Sequence, residues 1–217
     1  MSVSILRHSP MVKVYSIDGV TPVVHPDAYV HPSAVLIGDV HIAARVYVGP
    51  SASLRGDFGR LVIREGANIQ DCCIVHGFPD DDTVIEEDGH IGHAAIIHGA
   101  RICRNALVGM NAVVNDLAVV GESSIVAAMA FVKASMKVPP RTLVAGIPAR
   151  VMRELTEEEM AWKLDATRLY QNLAVRSLAS MRETVALTEI EPNRPRLPPA
   201  NALPLSAYKD KAGKSGA

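Results

Sequence analysis

Aromatic side chains are scarce, with one Trp, five Tyr and three Phe in 217 residues. That excludes a core of stacked rings and leaves small aliphatic side chains to fill the interior in many thin layers. Cysteine is almost as rare: Cys72, Cys73 and Cys103. The first two are chain neighbours that pair poorly with each other, and an odd count does not make a disulfide framework. A reducing cytoplasm is the expected location, with the thiols buried inside the repeats. An imbalance of charge is also missing, since 22 basic and 23 acidic residues give a net charge of −1. Without a basic patch, nucleic acids and anionic membranes are excluded as partners. No apolar run approaches the ~20 residues of a membrane span. The opening MSVSILRHSP lacks the apolar core of a signal peptide. No Gly-x-Ser-x-Gly element is present to suggest a serine hydrolase.

What the sequence has is a period of six. Every sixth residue from Val24 is aliphatic: Val24, Val30, Leu36, Ile42, Val48 and Leu54. After a slip of three the series resumes at Ile63, Ile69 and Val75, and after a longer interruption at Ile96, Ile102, Val108, Val114, Val120, Val126, Val132, Val138 and Val144. Four places beyond these lie small residues, among them Ala100, Ala106, Ala112, Ala118, Ser124 and Ala130. Three hexads make a triangular coil of about 18 residues, and coils stack through parallel ladders about 4.8 Å apart. The aliphatic residue points into a narrow interior and the small one sits near the tight corner. The series predicts about six or seven coils.

The repeats end at Gly146-Ile-Pro-Ala-Arg150. Thr156 followed by Glu157, Glu158 and Glu159 is a capping-box pattern. Met160, Leu164, Leu169, Leu173, Leu178, Met181 and Val185 then predict an amphipathic helix over 155–188, its apolar stripe against the coils or a neighbouring subunit. The organisation read from sequence is a β-helix domain over 12–150, this helix, and an extended or disordered tail over 191–217.

Of eight histidines, His25, His31 and His41 fall at exposed positions of the first repeats and His8 lies in the leader. The others are His76, His90, His93 and His98. His76 to His98 is 22 residues, one coil plus four, and Arg55 to His76 is 21, one coil plus three. With the extra residues bulging outwards, Arg55, His76 and His98 share one side of successive coils. His93, five residues before His98, belongs to the side before it, so a single chain does not gather all three imidazoles. A trimer does, by setting His93 of one subunit opposite His76 and His98 of the next. Three neutral imidazoles are a known zinc set with a position left open for water. The alternative is that these histidines satisfy hydrogen bonds in a packed interface. The acidic stretch from Asp80-Asp81-Asp82 to Glu86-Glu87-Asp88 is either solvated or a carrier of protons.

Arg55-Gly-Asp57, Asn68-Ile-Gln70-Asp71, His76, His93 and His98 appear in the signature order of the γ-class carbonic anhydrases, and the chain resembles that hexapeptide-repeat family from about Val12 to Ile190. LRGDFGRLVI, GANIQD, HGFP, EEDGHIGH and ALVGMNAVV resemble its phenylacetate-degradation branch, PaaY, and the carnitine-operon relatives of that branch. The resemblance implies a left-handed parallel β-helix and a homotrimer. It implies zinc, with iron or cobalt as alternatives, on His76, His93 and His98. It gives Gln70, with Asn68 nearby, the orienting of a metal-bound water, and it gives Arg55, Asp57 and Asp71 ion pairs at the subunit interface. The expected function is metal-dependent hydrolysis of acyl-CoA thioesters. Reversible CO2 hydration, hexapeptide acyltransfer and a non-catalytic accessory role are the alternatives. The acidic loop is shorter than in the archaeal enzymes, and no shuttle residue is assigned among Glu86, Glu87 and the loop aspartates.

Overall fold

A computed structural model describes residues 12–197, 199–200 and 203–208. His8 and the far end of the expected tail lie outside these residues. The chain winds into a left-handed parallel β-helix of about seven turns, closed by a C-terminal helix. Each turn has three flat sides. The first side carries Ile74–His76, Ile96–His98, Val113–Val114 and Phe131–Val132; the second carries Thr83–Ile85, Arg101–Ile102, Val119–Val120 and Lys137–Val138. The third runs from Tyr29–Val30 through Tyr47–Val48, Asn68–Ile69, His90–Ile91, Leu107–Val108 and Ile125–Val126 to Thr142–Gly146. There the antiparallel strand Ala149–Glu154 ends the ladder. The long strands Val35–Ile42 and Ser53–Ile63 run round the corner between the first two sides and join them in one sheet.

The six-residue period is the repeat of this triangle. Ile102, Val108, Val114, Val120, Val126 and Val132 are all fully buried. Corner residues enter the left-handed region at the same interval: Asn105, Asn111, Leu117, Ser123, Met129, Ser135 and Arg141 have φ between 55° and 60°. Each such corner costs a non-glycine residue some strain. The cost is tolerated because the ladders above and below fix the turn.

Two positions of the series differ. Val24 remains 36% exposed, because it lies on the first rung with no coil beneath it. Ile97 rather than Ile96 points inward, pairing with Val75 below and Val114 above. The side from Ile97 to Ile102 is one residue short and turns at Gly99 (φ 55°). Counting back in sixes from Ile102 therefore lands one residue early. The earlier interruption hides two further inward residues, Ile85 and Ile91.

The helix α1 spans Glu157–Ser180, eight residues less at its C-terminal end than the spacing predicts. Thr156 caps it, and its hydroxyl and the Glu159 side chain form the full reciprocal box. Met181 still meets the Tyr29 hydroxyl of the coils, but beyond it Val185 and Leu187 are 87% and 61% exposed. The face turned inward is only in part the apolar stripe, with Leu173 packing beside Ala174 and Tyr170 on Tyr29 and Tyr47. Glu159, Lys163, Thr167, Ala174 and Ser177 are buried, while Leu178 and Met181 are exposed. The third side explains this, since it offers buried polar groups to the helix. Part of the tail returns to α1, where Trp162 donates to the Leu203 carbonyl at 2.8 Å. Among the described residues no helix is long and apolar enough to cross a membrane.

Leu54 is fully buried in the middle of the stack, where neighbouring coils cannot move together to close a gap. Leu54→Ala is expected to destabilise the chain by about 2–5 kcal/mol in denaturant melts. Thr156→Ala is expected to cost about 1 kcal/mol.

Candidate functional site

Two bulges build the site. Gly38 pairs with Gly56, but Val40 pairs with Leu61, so residues 57–60 stand out from the corner between the first two sides. On the next coil Arg55 pairs with His76, and Leu61 pairs with Thr83, so 77–82 stand out directly above. Arg55, His76 and His98 are consecutive rungs of one ladder, as their spacing predicts. At the bulges the backbones leave no room for a side chain: a Cβ on Gly77 would lie 2.1 Å from the Gly59 carbonyl oxygen.

The side chains at this corner form one chain of contacts. His76 Nε2 lies 3.0 Å from Asp57 Oδ1 and 3.1 Å from Arg55 Nη2. His76 Nδ1 faces His98 Nε2 at 3.0 Å, and His98 Nδ1 is held by Asp116. A carboxylate only accepts, so Nδ1 of His98 carries a proton, and in the neutral ring Nε2 presents its lone pair. The neutral form of His76 has one proton and two places for it. On Nδ1 it is donated to His98 while Nε2 accepts from Arg55. On Nε2 it is donated to Asp57, and then both inner nitrogens turn lone pairs towards one point. In that second form the pair fits a cation, whether a shared proton or a metal ion. The Phe58 ring, 67% exposed, stands 5.3 Å from the His76 ring at the mouth.

Asp116 was missed by sequence reading, although it stands 18 residues beyond His98, one coil further on. His93 is elsewhere, as its spacing predicts. It pairs with Asp71 at 2.9 Å and lies 3.4 Å from the Tyr170 hydroxyl of α1. Among the described residues no three His, Cys, Asp or Glu side chains of this chain gather to hold a metal.

Gln70 and Asn68 also belong to the His93 side and do not touch His76 or His98 within the chain. The strand Asn68–Ile69 lies on the third side, under α1. There Gln70 Nε2 contacts Asn68 Oδ1 at 3.0 Å and His90 Nε2 at 2.7 Å. Arg55 lies 3.6 Å from Asp57 within the chain. The acidic stretch is not one loop. Thr83–Ile85 is a strand, Glu86 is tied to Arg101 and to the Arg104 amide, and Glu87 faces Arg64. Only Asp80–Asp82 remain on the bulge. Cys73 is buried, and burial pushes its thiol up to about 12, but Cys72 is exposed at a left-handed corner. Burial makes the first thiol inert, and position on the outward turn explains the second.

The helix brings in groups that spacing alone does not place. Lys163 Nζ reaches the Asp88 carbonyl at 2.6 Å and Asn105 Oδ1 at 2.8 Å, and burial lowers its pKa to about 7. His90 is sealed beneath α1, and burial, with a smaller contribution from Lys163, lowers its pKa to about 3. It is therefore a neutral imidazole at physiological pH.

A stacked triangular coil with a six-residue period, left-handed corners and a histidine ladder at a bulged corner defines a hexapeptide-repeat protein. A scan against models of known protein families finds no match. The carnitine operon protein CaiE of Citrobacter koseri is 61% identical over 183 residues, covering 84% of this chain and 93% of that protein. CaiE of Salmonella newport is 58% identical, covering 84% and 92%. The chain belongs to the CaiE family. Among solved structures, a hexapeptide transferase family protein from Anaplasma phagocytophilum is 35% identical with a TM-score of 0.73, over 76% of this chain and 97% of that one. A putative acetyltransferase from Bacillus cereus is 28% identical with a TM-score of 0.76, over 77% and 98%. This company corrects the expected function: the likeness is to CaiE and hexapeptide transferases rather than to a metal-dependent thioesterase.

Lys163 gives a pH test of how α1 is seated. Its folded pKa lies below its unfolded value of 10.5, so the unfolded chain binds more protons between about pH 7 and 10.5. The lysine's contribution to stability is therefore lowest below pH 7 and rises across that window. Lys163→Met is expected to flatten the rise in denaturant midpoint relative to the parent chain.

Proposed function

We propose that the chain is an acyltransferase of the hexapeptide type, acting on an acyl thioester of coenzyme A at a junction between the subunits of a homotrimer. The paired imidazoles His76 and His98, 3.0 Å apart with Asp57 and Asp116 behind them, carry this reading. The names of the transferase structures support it, as does the CaiE likeness, which puts it in the setting of a carnitine operon.

The chemistry follows from the tautomers. With its proton turned to Asp57, the pair accepts a proton from the acceptor's hydroxyl or amine. The freed lone pair attacks the thioester carbonyl. The C–S bond breaks, and the leaving sulfur takes the proton back from the imidazolium. Asp57 and Asp116 stabilise the imidazolium between the two steps, and the Arg55 guanidinium offers donors to a carbonyl oxygen at the same corner.

The trimer is supported by the first side. Its outward ladder is Ile74, Ile96, Val113 and Phe131, with Ile74 42% exposed. An apolar ladder of that length is suited to a second copy, whereas the second side carries exposed ion pairs such as Arg101–Glu86 and Arg104–Glu122. Packing of copies would also bring the half-exposed His93, with the Gln70 carbonyl on the same side, within reach of another chain's His76 and His98.

A second reading of what the pair holds is favoured by the two facing nitrogens: His76 and His98, with His93 of another copy, bind zinc, iron or cobalt. A metal there would supply Lewis-acid polarisation of a carbonyl.

The test is acyl-CoA turnover with and without amine and alcohol acceptors, read as free thiol. His98→Gln is expected to lower acceptor-dependent turnover about 100-fold or more, and Asp116→Asn by a smaller factor. Absence of turnover, and of acyl-CoA binding, by the intact oligomer would overturn the enzyme in favour of an accessory role.

Shared sites have their own test. Mixing His93→Ala chains with chains carrying His76→Ala and His98→Ala is expected to give hybrids, verified by mass, that regain part of the metal content. Hybrids with no more metal than either parent would remove the metal reading and leave the base pair standing.

A further inference from the structure

The buried network beneath α1 fixes which way an amide faces. Thr167 Oγ1 lies 3.3 Å from the Lys163 carbonyl, four residues before it in the helix. A carbonyl only accepts, so the threonine hydroxyl donates there and its oxygen is left to accept. His90 Nδ1 is 3.3 Å from that oxygen and so carries the imidazole proton. His90 is neutral and has no second proton, so its Nε2 presents a lone pair. The Gln70 atom 2.7 Å from this lone pair must then be the amide nitrogen rather than the oxygen. The other hydrogen of that nitrogen goes to Asn68 Oδ1. Both amide hydrogens of Gln70 are consumed inside the protein. Its carbonyl oxygen has no hydrogen-bond partner among the described residues.

Asn68 completes the pattern. It is fully buried, and its Oδ1 is turned to Gln70. Its Nδ2 is sealed and has no partner among the described residues. An orphaned buried donor is costly, so Asn68 serves to hold the Gln70 amide rather than to meet a ligand.

We infer that Thr167 and His90 are positioning residues which lock Gln70 so that it meets its ligand with its carbonyl oxygen, as a hydrogen-bond acceptor. The ligand group that suits Gln70 is a hydrogen-bond donor: a hydroxyl, an amine or an amide N–H. A lone ester or thioester carbonyl does not suit it. Helix α1 thus acts on the site through its inward polar face, which accounts for Thr167 and His90 lying where an apolar pair would pack more simply. The inference rests on the proposed function for the ligand's identity as an acceptor substrate or a coenzyme A amide, but not for the orientation of Gln70.

Imidazole nitrogen shifts of His90 in the full-length oligomer test the orientation directly. The Nδ1–H tautomer is expected, with Nε2 showing the shift of an unprotonated nitrogen. Thr167→Val removes the acceptor for Nδ1 and is expected to move the proton to Nε2, with the Gln70 amide turning over. Thr167→Ser keeps the hydroxyl and is expected to restore the parent tautomer. In acyl transfer, Thr167→Val is expected to cost about tenfold in kcat/KM, the equivalent of one hydrogen bond, with recovery in Thr167→Ser. An Nε2–H tautomer in the parent chain, or an unchanged tautomer in Thr167→Val, would overturn the inference. Absence of transferase turnover with the expected tautomers would remove the proposed function and leave the locked amide in place.

Discussion

The interior of the triangular coil is so narrow that each side admits one aliphatic side chain, and the rest of the structure follows from that constraint. A valine or isoleucine fills the space from each side, so a residue added within a side has nowhere to go but outwards. Extra residues are therefore expelled at corners, where the ladders above and below are least disturbed. Residues 57–60 and 77–82 are expelled at the same corner on successive coils. Between them stands the ladder of Arg55, His76 and His98, rigid because its backbone belongs to the sheet. The catalytic geometry proposed here is a by-product of how a solenoid accommodates insertions.

The third side obeys a different economy. A helix laid on a β-helix ordinarily buries an apolar stripe, and α1 does so at Leu173 and Ala174 on Tyr29 and Tyr47, but it also buries Glu159, Lys163 and Thr167. Each meets a partner that the coils have already placed: Arg153 for Glu159, the Asp88 carbonyl for Lys163, and His90 for Thr167. Such a network gains less from burial than an apolar seam, but it specifies register closely, because a shift of one residue would leave several buried groups unpaired. The consequence is that the helix holds the orientation of Gln70 as well as closing the fold.

The His76–His98 pair is where the fold, the relatives and the chemistry meet. The same two nitrogens that would ligate a metal are also a proton-sharing base, and the carboxylates behind them serve either use. Signature residues therefore do not by themselves separate a metal-dependent hydrolase from a transferase. The proposed transferase reading rests on the likeness to solved structures named as hexapeptide transferases.

The period of six determined the stacked three-sided coil from sequence alone, because an inward aliphatic every sixth residue is a direct image of it, whereas the left hand followed only from the family resemblance. The spacings from Arg55 to His76 and from His76 to His98 likewise determined the ladder, since each is one coil plus an expelled insertion. His93 was correctly separated from them for the same reason. What spacing did not determine was the inward register at Ile97, because a side shortened at Gly99 follows an insertion and the two errors combine. Nor did it place Asp116, His90 or Thr167. Asp116 acts through a corner, where side-chain direction depends on the turn. Thr167 reaches His90 only because α1 folds back over the third side with its polar face inward, and helical periodicity says which residues share a face without saying which face the coils will take.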